Sequence, residues 1–148
     1  MTFVCPVCKA LPFSHSLVKL GETKGIVYYY TCPSQALLYY DVEGIIHHYN
    51  GVLSEIPKEM DWIWIVDSEG FNLIHALQIK VAVELAKLIS NKFSVNLKKI
   101  IILHPTMYIR MIHTFLLPFL NETLQSRIDI HYEETTPQEI MCKSTIYE

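Results

Sequence analysis

The sequence predicts an α/β domain built on a short, mostly parallel sheet flanked by helices. Two segments carry the prediction: Asp61-Trp-Ile-Trp-Ile-Val-Asp67 and Lys99-Ile-Ile-Ile-Leu-His104. Both are strand-length runs that are apolar on both faces, as central parallel strands must be. Each ends at one polar residue, Asp67 or His104. A helical pattern lies between the two runs and another follows the second. That order calls for crossover connections between parallel strands. In open sheets of this kind ligands collect at the carboxyl ends of the strands, which is where Asp67 and His104 fall.

Along the chain, residues 1–24 read as a preface with a Cys-Pro-Val-Cys turn and little periodicity, and residues 25–148 as the domain proper. Gly25-Ile-Val-Tyr-Tyr-Tyr-Thr31 is rich in β-formers and is expected to be the first strand, stopped by Pro33. From Ser34 to about Leu53 the apolar spacing is helical but broken near Asp41-Val-Glu-Gly44, which predicts two short helices or a helix and a turn. Trp62 to Val66 is the second strand. A helix is expected from about Leu73 to Ser90, with Ile74, Leu77, Val81, Leu85 and Leu88 on its inner face. Ile100 to Leu103 is the third strand. Pro105 suits the first position of the next helix, where its missing N–H costs nothing. That helix is apolar on several sides and is kinked or ended by Pro118. Arg127 to Tyr132 alternates like a strand, and a helical turn is possible after Pro137.

The 148 residues suffice for one domain with a sizeable core. With 51% hydrophobic and 18% charged residues, the chain carries apolar surface that needs a core, a partner or an apolar ligand to cover it. The net charge of −3 argues against nonspecific nucleic-acid binding. No apolar run approaches the roughly 20 residues that span a bilayer, and no signal sequence begins the chain, so a cytoplasmic location is expected. Cys5, Cys8, Cys32 and Cys142 then read as reduced thiols or metal ligands.

The stretch from Trp62 to about Tyr132 resembles the CRAL-TRIO lipid-binding domain, with its strand-Asp-x-x-Gly-Phe turn present as Val66-Asp-Ser-Glu-Gly-Phe71. Ile102-Leu-His-Pro-Thr-Met-Tyr-Ile-Arg110, Leu117-Pro-Phe-Leu120 and Arg127-Ile128 look like the BCH-type branch found in Rho-GTPase regulators. The resemblance covers about half the chain well and about four-fifths in outline. It implies a sheet that floors an apolar cavity and a mobile helix that closes it, here the apolar helix from Thr106 to Leu120. The helical bundle that precedes the domain in better-known members is replaced by the Cys5/Cys8 preface, and the C-terminal part is short. A smaller pocket, or a protein-binding surface, is the corresponding expectation.

On that resemblance, Met107, Ile112, Phe115, Leu116 and Phe119 become ligand contacts; ordinary core packing is the competing reading. Arg110, with His104 nearby, could hold a phosphate headgroup through its planar guanidinium, or simply pair with a neighbouring acid. Lys98, Lys99 and Arg127 are weaker candidates for that task. Asp67 and His104 resemble an acid–base pair, but no nucleophile, metal or oxyanion motif accompanies them, and capping explains both. No catalytic role is assigned.

Cys5-Pro-Val-Cys8 is half of a zinc knuckle, which His15 and Cys32 could complete as a structural site; free thiols are the alternative. His47 and His48 are adjacent, so on a helix they point about 100 degrees apart and should not share one ion, one facing the core and the other solvent. The expected function is non-catalytic binding, exchange or sensing of a lipid or other apolar small molecule under the helix 106–120, with transient membrane contact. The alternative is an interaction module docking a small GTPase or a second copy of the chain.

Overall fold

The computed structural model describes residues 5, 8, 14–15, 17–36, 40–131, 137 and 140. Strand β1 (Val18–Thr23) and strand β2 (Ile26–Thr31) form an antiparallel hairpin. Lys24 and Gly25 both have positive φ, 49° and 78°, the backbone of the primed two-residue turn whose twist matches the flanking strands. β1 is a strand that the sequence pattern does not announce: a bulge between Lys19 and Gly21 interrupts its alternation, as suits an edge.

After a 3-10 turn at Pro33–Gln35, helix α1 (Val42–Leu53) leads to β3 (Asp61–Asp67). The predicted break at Asp41 is the start of α1, where the Asp41 carboxylate accepts the Gly44 N–H. The long helix expected over 73–90 is divided. A short α2 (Leu73–Ala76), opened by an Asn72/His75 capping box, ends before α3 (Ile79–Leu88), which continues as one π turn over Ile89–Phe93. The division changes the exposure. Val81 and Leu85 are buried as predicted, but Ile74 and Leu77 are 70% and 67% exposed.

Next come β4 (Leu97–Leu103), α4 (Met107–Leu116), a 3-10 turn at Leu117–Phe119 holding Pro118, α5 (Glu122–Ser126) and β5 (Ile128–Ile130). Pro105 lies one residue before the cap of α4 rather than within its first turn. Thr106 is the cap, and its hydroxyl accepts the Ile109 N–H. The turn anticipated after Pro137 and the end of the last strand at Tyr132 fall largely outside the described residues.

The strands stand in sequence order, β1-β2-β3-β4-β5, with every pair after the hairpin parallel. Adding each new strand on the same side through crossovers of one hand places every connecting helix on the same face. The packing bears this out. Ile45 and Tyr49 of α1, Val81 and Leu85 of α3, Ile109 and Ile112 of α4 and Leu124 of α5 join one cluster with Tyr29, Trp62, Ile100 and Ile102 of the sheet. The opposite face, with Tyr28, Ile65 and Leu103, is buried together with Ile140.

Candidate functional site

Between the sheet and the helices lies a cavity of about 130 Å³. Its floor includes Trp64, Val66, Ile100 and Ile102; its walls include Tyr49 of α1, Leu85 and Ala86 of α3, and Ile109, Ile112 and Leu116 of α4. The polar atoms around it are largely occupied with each other. Trp64 Nε1–H donates to the Thr31 hydroxyl at 2.8 Å, and Thr31 and Tyr49 share a hydroxyl–hydroxyl bond at 3.0 Å. What remains is an apolar slot suited to hydrocarbon.

The α4 wall has two characters. Ile109 and Ile112 are buried, whereas Met107, Met111 and Phe115 are 58%, 59% and 47% exposed. Of the residues singled out from sequence, Ile112 and Leu116 line the cavity. Met107 and Phe115 face outward, Arg110 is exposed, and Phe119 lies against Phe115 at a ring separation of 6.2 Å. Ile109 and Tyr49 of the walls and Trp64 of the floor are residues that sequence alone did not select, because strand and helix patterns show burial but not the gap between buried faces. Among the weaker cation candidates, Arg127 donates to the Ser94 and Leu97 carbonyls, and Lys99 pairs with Asp129 at 3.6 Å.

His104 sits where β4 turns into α4, in the left-handed region with φ of 50°. Its Nδ1–H donates to Asp67 at 2.9 Å. The same carboxylate accepts the Tyr30 hydroxyl at 2.7 Å and the Glu69 N–H at 3.0 Å. Burial alone would raise the Asp67 carboxyl, but these three hydrogen bonds together outweigh it and hold it below the usual carboxylate value. The pair joined by the sheet ends is thus a clasp fixing the start of α4, with both carboxylate oxygens engaged.

A second constellation stands apart from the cavity. Cys5, Cys8, His15 and His48 present ligand atoms that all lie within 4.8 Å of one another. Cys32, placed by sequence in the metal set, is elsewhere: its Sγ lies 3.3 Å from the Ser34 hydroxyl and 3.9 Å from the Glu69 carbonyl oxygen. The cluster holds His48 of α1 instead. His48 is buried and His47 exposed, as helical geometry requires of neighbours.

A family model described as CRAL/TRIO domain matches residues 35–144. Among solved structures, the chain is similar to one described as the crystal structure of Sfh5, with a TM-score of 0.65 and 9% sequence identity over 81% of this chain. The chain spans 48% of the length of that structure. No curated protein matches. No helix among the described residues is long and apolar enough to cross a membrane.

Proposed function

The chain belongs to the CRAL/TRIO domain family, whose members bind lipids or small apolar ligands and are not enzymes, and from that premise we propose that it reversibly binds a lipid or other apolar molecule beneath α4. The observation that carries the reading is the apolar slot under a helix with an exposed apolar back. At about 130 Å³ the slot is close to the ~150 Å³ of a cavity that takes up benzene. It is smaller than the ~300–1,000 Å³ of pockets for larger ligands. An acyl chain therefore enters only if α4 moves.

The clasp at His104 fixes one end of α4, so the helix swings about that end. Ile112 and Leu116 leave the slot as the ligand enters. Met107, Met111 and Phe115 meet the apolar phase that delivers it, a transient contact with a membrane by a cytoplasmic protein. Arg110, on the solvent side, would meet a headgroup phosphate. Closing over the chain regains about 0.8 kcal/mol per methylene buried.

One observation favours a second reading. Leu73 and Ile74 of α2, with Leu77 just after it, are also exposed, and α2 packs against α4. An apolar surface shared by two helices suits an interaction module of the BCH type, docking a small GTPase or a second copy of the chain.

Native mass spectrometry followed by organic extraction separates the readings. Purified chain carrying a stoichiometric fatty acid or phospholipid, displaced by a spin-labelled or fluorescent analogue, supports lipid binding. Chain that stays empty after incubation with mixed-lipid vesicles, and fails to take up the analogue, overturns it in favour of docking.

A further inference from the structure

We propose that Cys5, Cys8, His15 and His48 form a structural zinc site that fastens the N-terminal segment to α1. The inference is independent of lipid binding. It rests on the geometry of the donors, on what stands behind them, and on the space made for them.

Two of the donor separations match the edge of a tetrahedron around one ion. Cys5 Sγ and Cys8 Sγ lie 3.4 and 3.5 Å from His15 Nδ1. With Zn–S near 2.3 Å and Zn–N near 2.05 Å, sulfur and nitrogen ligands on one ion stand about 3.5 Å apart. Without an ion the arrangement is awkward. The His15 ring nitrogen has one in-plane lone pair, which can accept one well-directed bond, yet two thiols approach it at nearly equal distance. An ion that replaces both thiol protons resolves the conflict: two thiolates neutralise its double charge, and two neutral imidazoles complete the shell.

Both histidines are oriented from behind. His15 Nε2–H donates to Asp41 at 3.0 Å, and His48 Nε2 lies 3.1 Å from the Leu17 carbonyl oxygen. These contacts occupy Nε2 of each ring and fix the tautomer, so that Nδ1 is the nitrogen each offers to the ion, the arrangement that usually stands behind metal-bound histidine. Asp41 does this while capping α1 with its other oxygen. Gly44 makes room for the pair, because a Cβ there would collide with the Asp41 carboxylate and lie 2.7 Å from His15 Nε2.

Two thiolates and two imidazoles select zinc among common divalent ions, and four protein ligands leave no open position, so the site is structural rather than catalytic. Its placement matters for the slot, since His48 is followed directly by Tyr49, a wall residue.

The test uses the full chain, produced with zinc in the medium and gel-filtered before elemental analysis. We expect one zinc per chain. Cobalt exchanged for zinc should give the visible absorption of a tetrahedral two-thiolate centre. His48→Gln and Cys8→Ser should lose the metal, while Cys32→Ser and His47→Gln retain it. Asp41→Asn keeps a capping oxygen but loses the charge behind His15, and should weaken zinc affinity about 10- to 100-fold. A wild-type chain that carries no zinc and shows no tetrahedral cobalt spectrum overturns the proposal. So does loss of metal in Cys32→Ser with retention in His48→Gln. If His48→Gln fails to fold, the wild-type cobalt spectrum and the Asp41→Asn affinity still decide.

Discussion

The two side walls of the slot are made differently. On the α1 side, Tyr49 is buried, bonded to Thr31 and packed edge-on against Trp64 at a ring separation of 6.0 Å. The next residue back, His48, belongs to the cysteine–histidine cluster. On the α4 side, contact with the core is made chiefly by a narrow stripe, Ile109 and Ile112, while the outward face exposes two methionines and a phenylalanine. Directional bonds hold one wall in a single place. Dispersion alone holds most of the other, and dispersion can be exchanged for equivalent contacts with another apolar body. Within one cavity, the chemistry of attachment separates the part that stays from the part that yields.

Truncations at equivalent depth break the comparison if it is wrong. Tyr49→Ala removes a large buried side chain and a hydrogen-bonded hydroxyl, and should cost about 3–5 kcal/mol. Ile109→Ala removes less volume from a wall that can settle inward, and should fall near ~2 kcal/mol, the lower end for its type. Urea unfolding of both variants measures the gap; equal losses would remove the asymmetry.

The clasp sharpens it, because it anchors the yielding wall at one end. Asp67→Asn keeps the shape but loses the charge on three hydrogen bonds, and should destabilise by about 1.5–3 kcal/mol at neutral pH. The sign follows from a carboxyl held below its usual value. Its contribution is present above the unfolded carboxyl value and is lost as pH falls through the lower folded one. Wild type and Asp67→Asn should therefore converge in acid, and a gap that persists there would locate the effect in packing.

The smallest effect on stability is expected on the outer face. Met111→Ser with Phe115→Ser should change unfolding free energy by no more than about 0.5 kcal/mol per site. The same pair should slow uptake of a fluorescent fatty acid from vesicles. Unchanged uptake would mean that the outward apolar face serves something other than ligand entry.

The sequence carried the centre of the fold because β3 and β4 are buried on both sides and their residue types say so. The break at Asp41 and the stop at Pro118 were equally readable as local chemistry. The start of α4 was placed too early, with His104 before a helix begun by Pro105, because proline's preference for the first helical position outweighed the capping hydroxyl of Thr106. β1 was not, since its alternation is broken by a bulge, although Lys24-Gly25 between two β-rich runs marks the hairpin turn. The division of the 73–90 helix has no signature in residue type, and only packing shows that Ile74 and Leu77 face outward. The cysteine–histidine cluster shows the limit most clearly. Cys32 is nearer in sequence to Cys5 and Cys8 than His48 is, and it leaves β2 at the end of the hairpin where the leader enters, Val18 standing opposite Tyr30. Its thiol nonetheless turns to Ser34 and Glu69, while α1 brings His48 to the leader's ligands. Which residue completes such a cluster is a property of chain return, which spacing along the sequence does not contain.

The hairpin has a consequence for how the chain reaches this arrangement. Of the four strand pairings among the described residues, β1 with β2 joins neighbours through a two-residue turn, while β2–β3, β3–β4 and β4–β5 each wait for a whole helical connection to come back across the sheet. Pairings of that second kind carry the loop-closure cost before any contact rewards it, and they fold slowly. The Lys24-Gly25 turn is therefore the natural seed, forming on the microsecond scale of isolated hairpins. On that seed β2 offers its open edge to β3, β3 then offers its own to β4, and β4 to β5, so the order of the sheet is also the order in which it can be built.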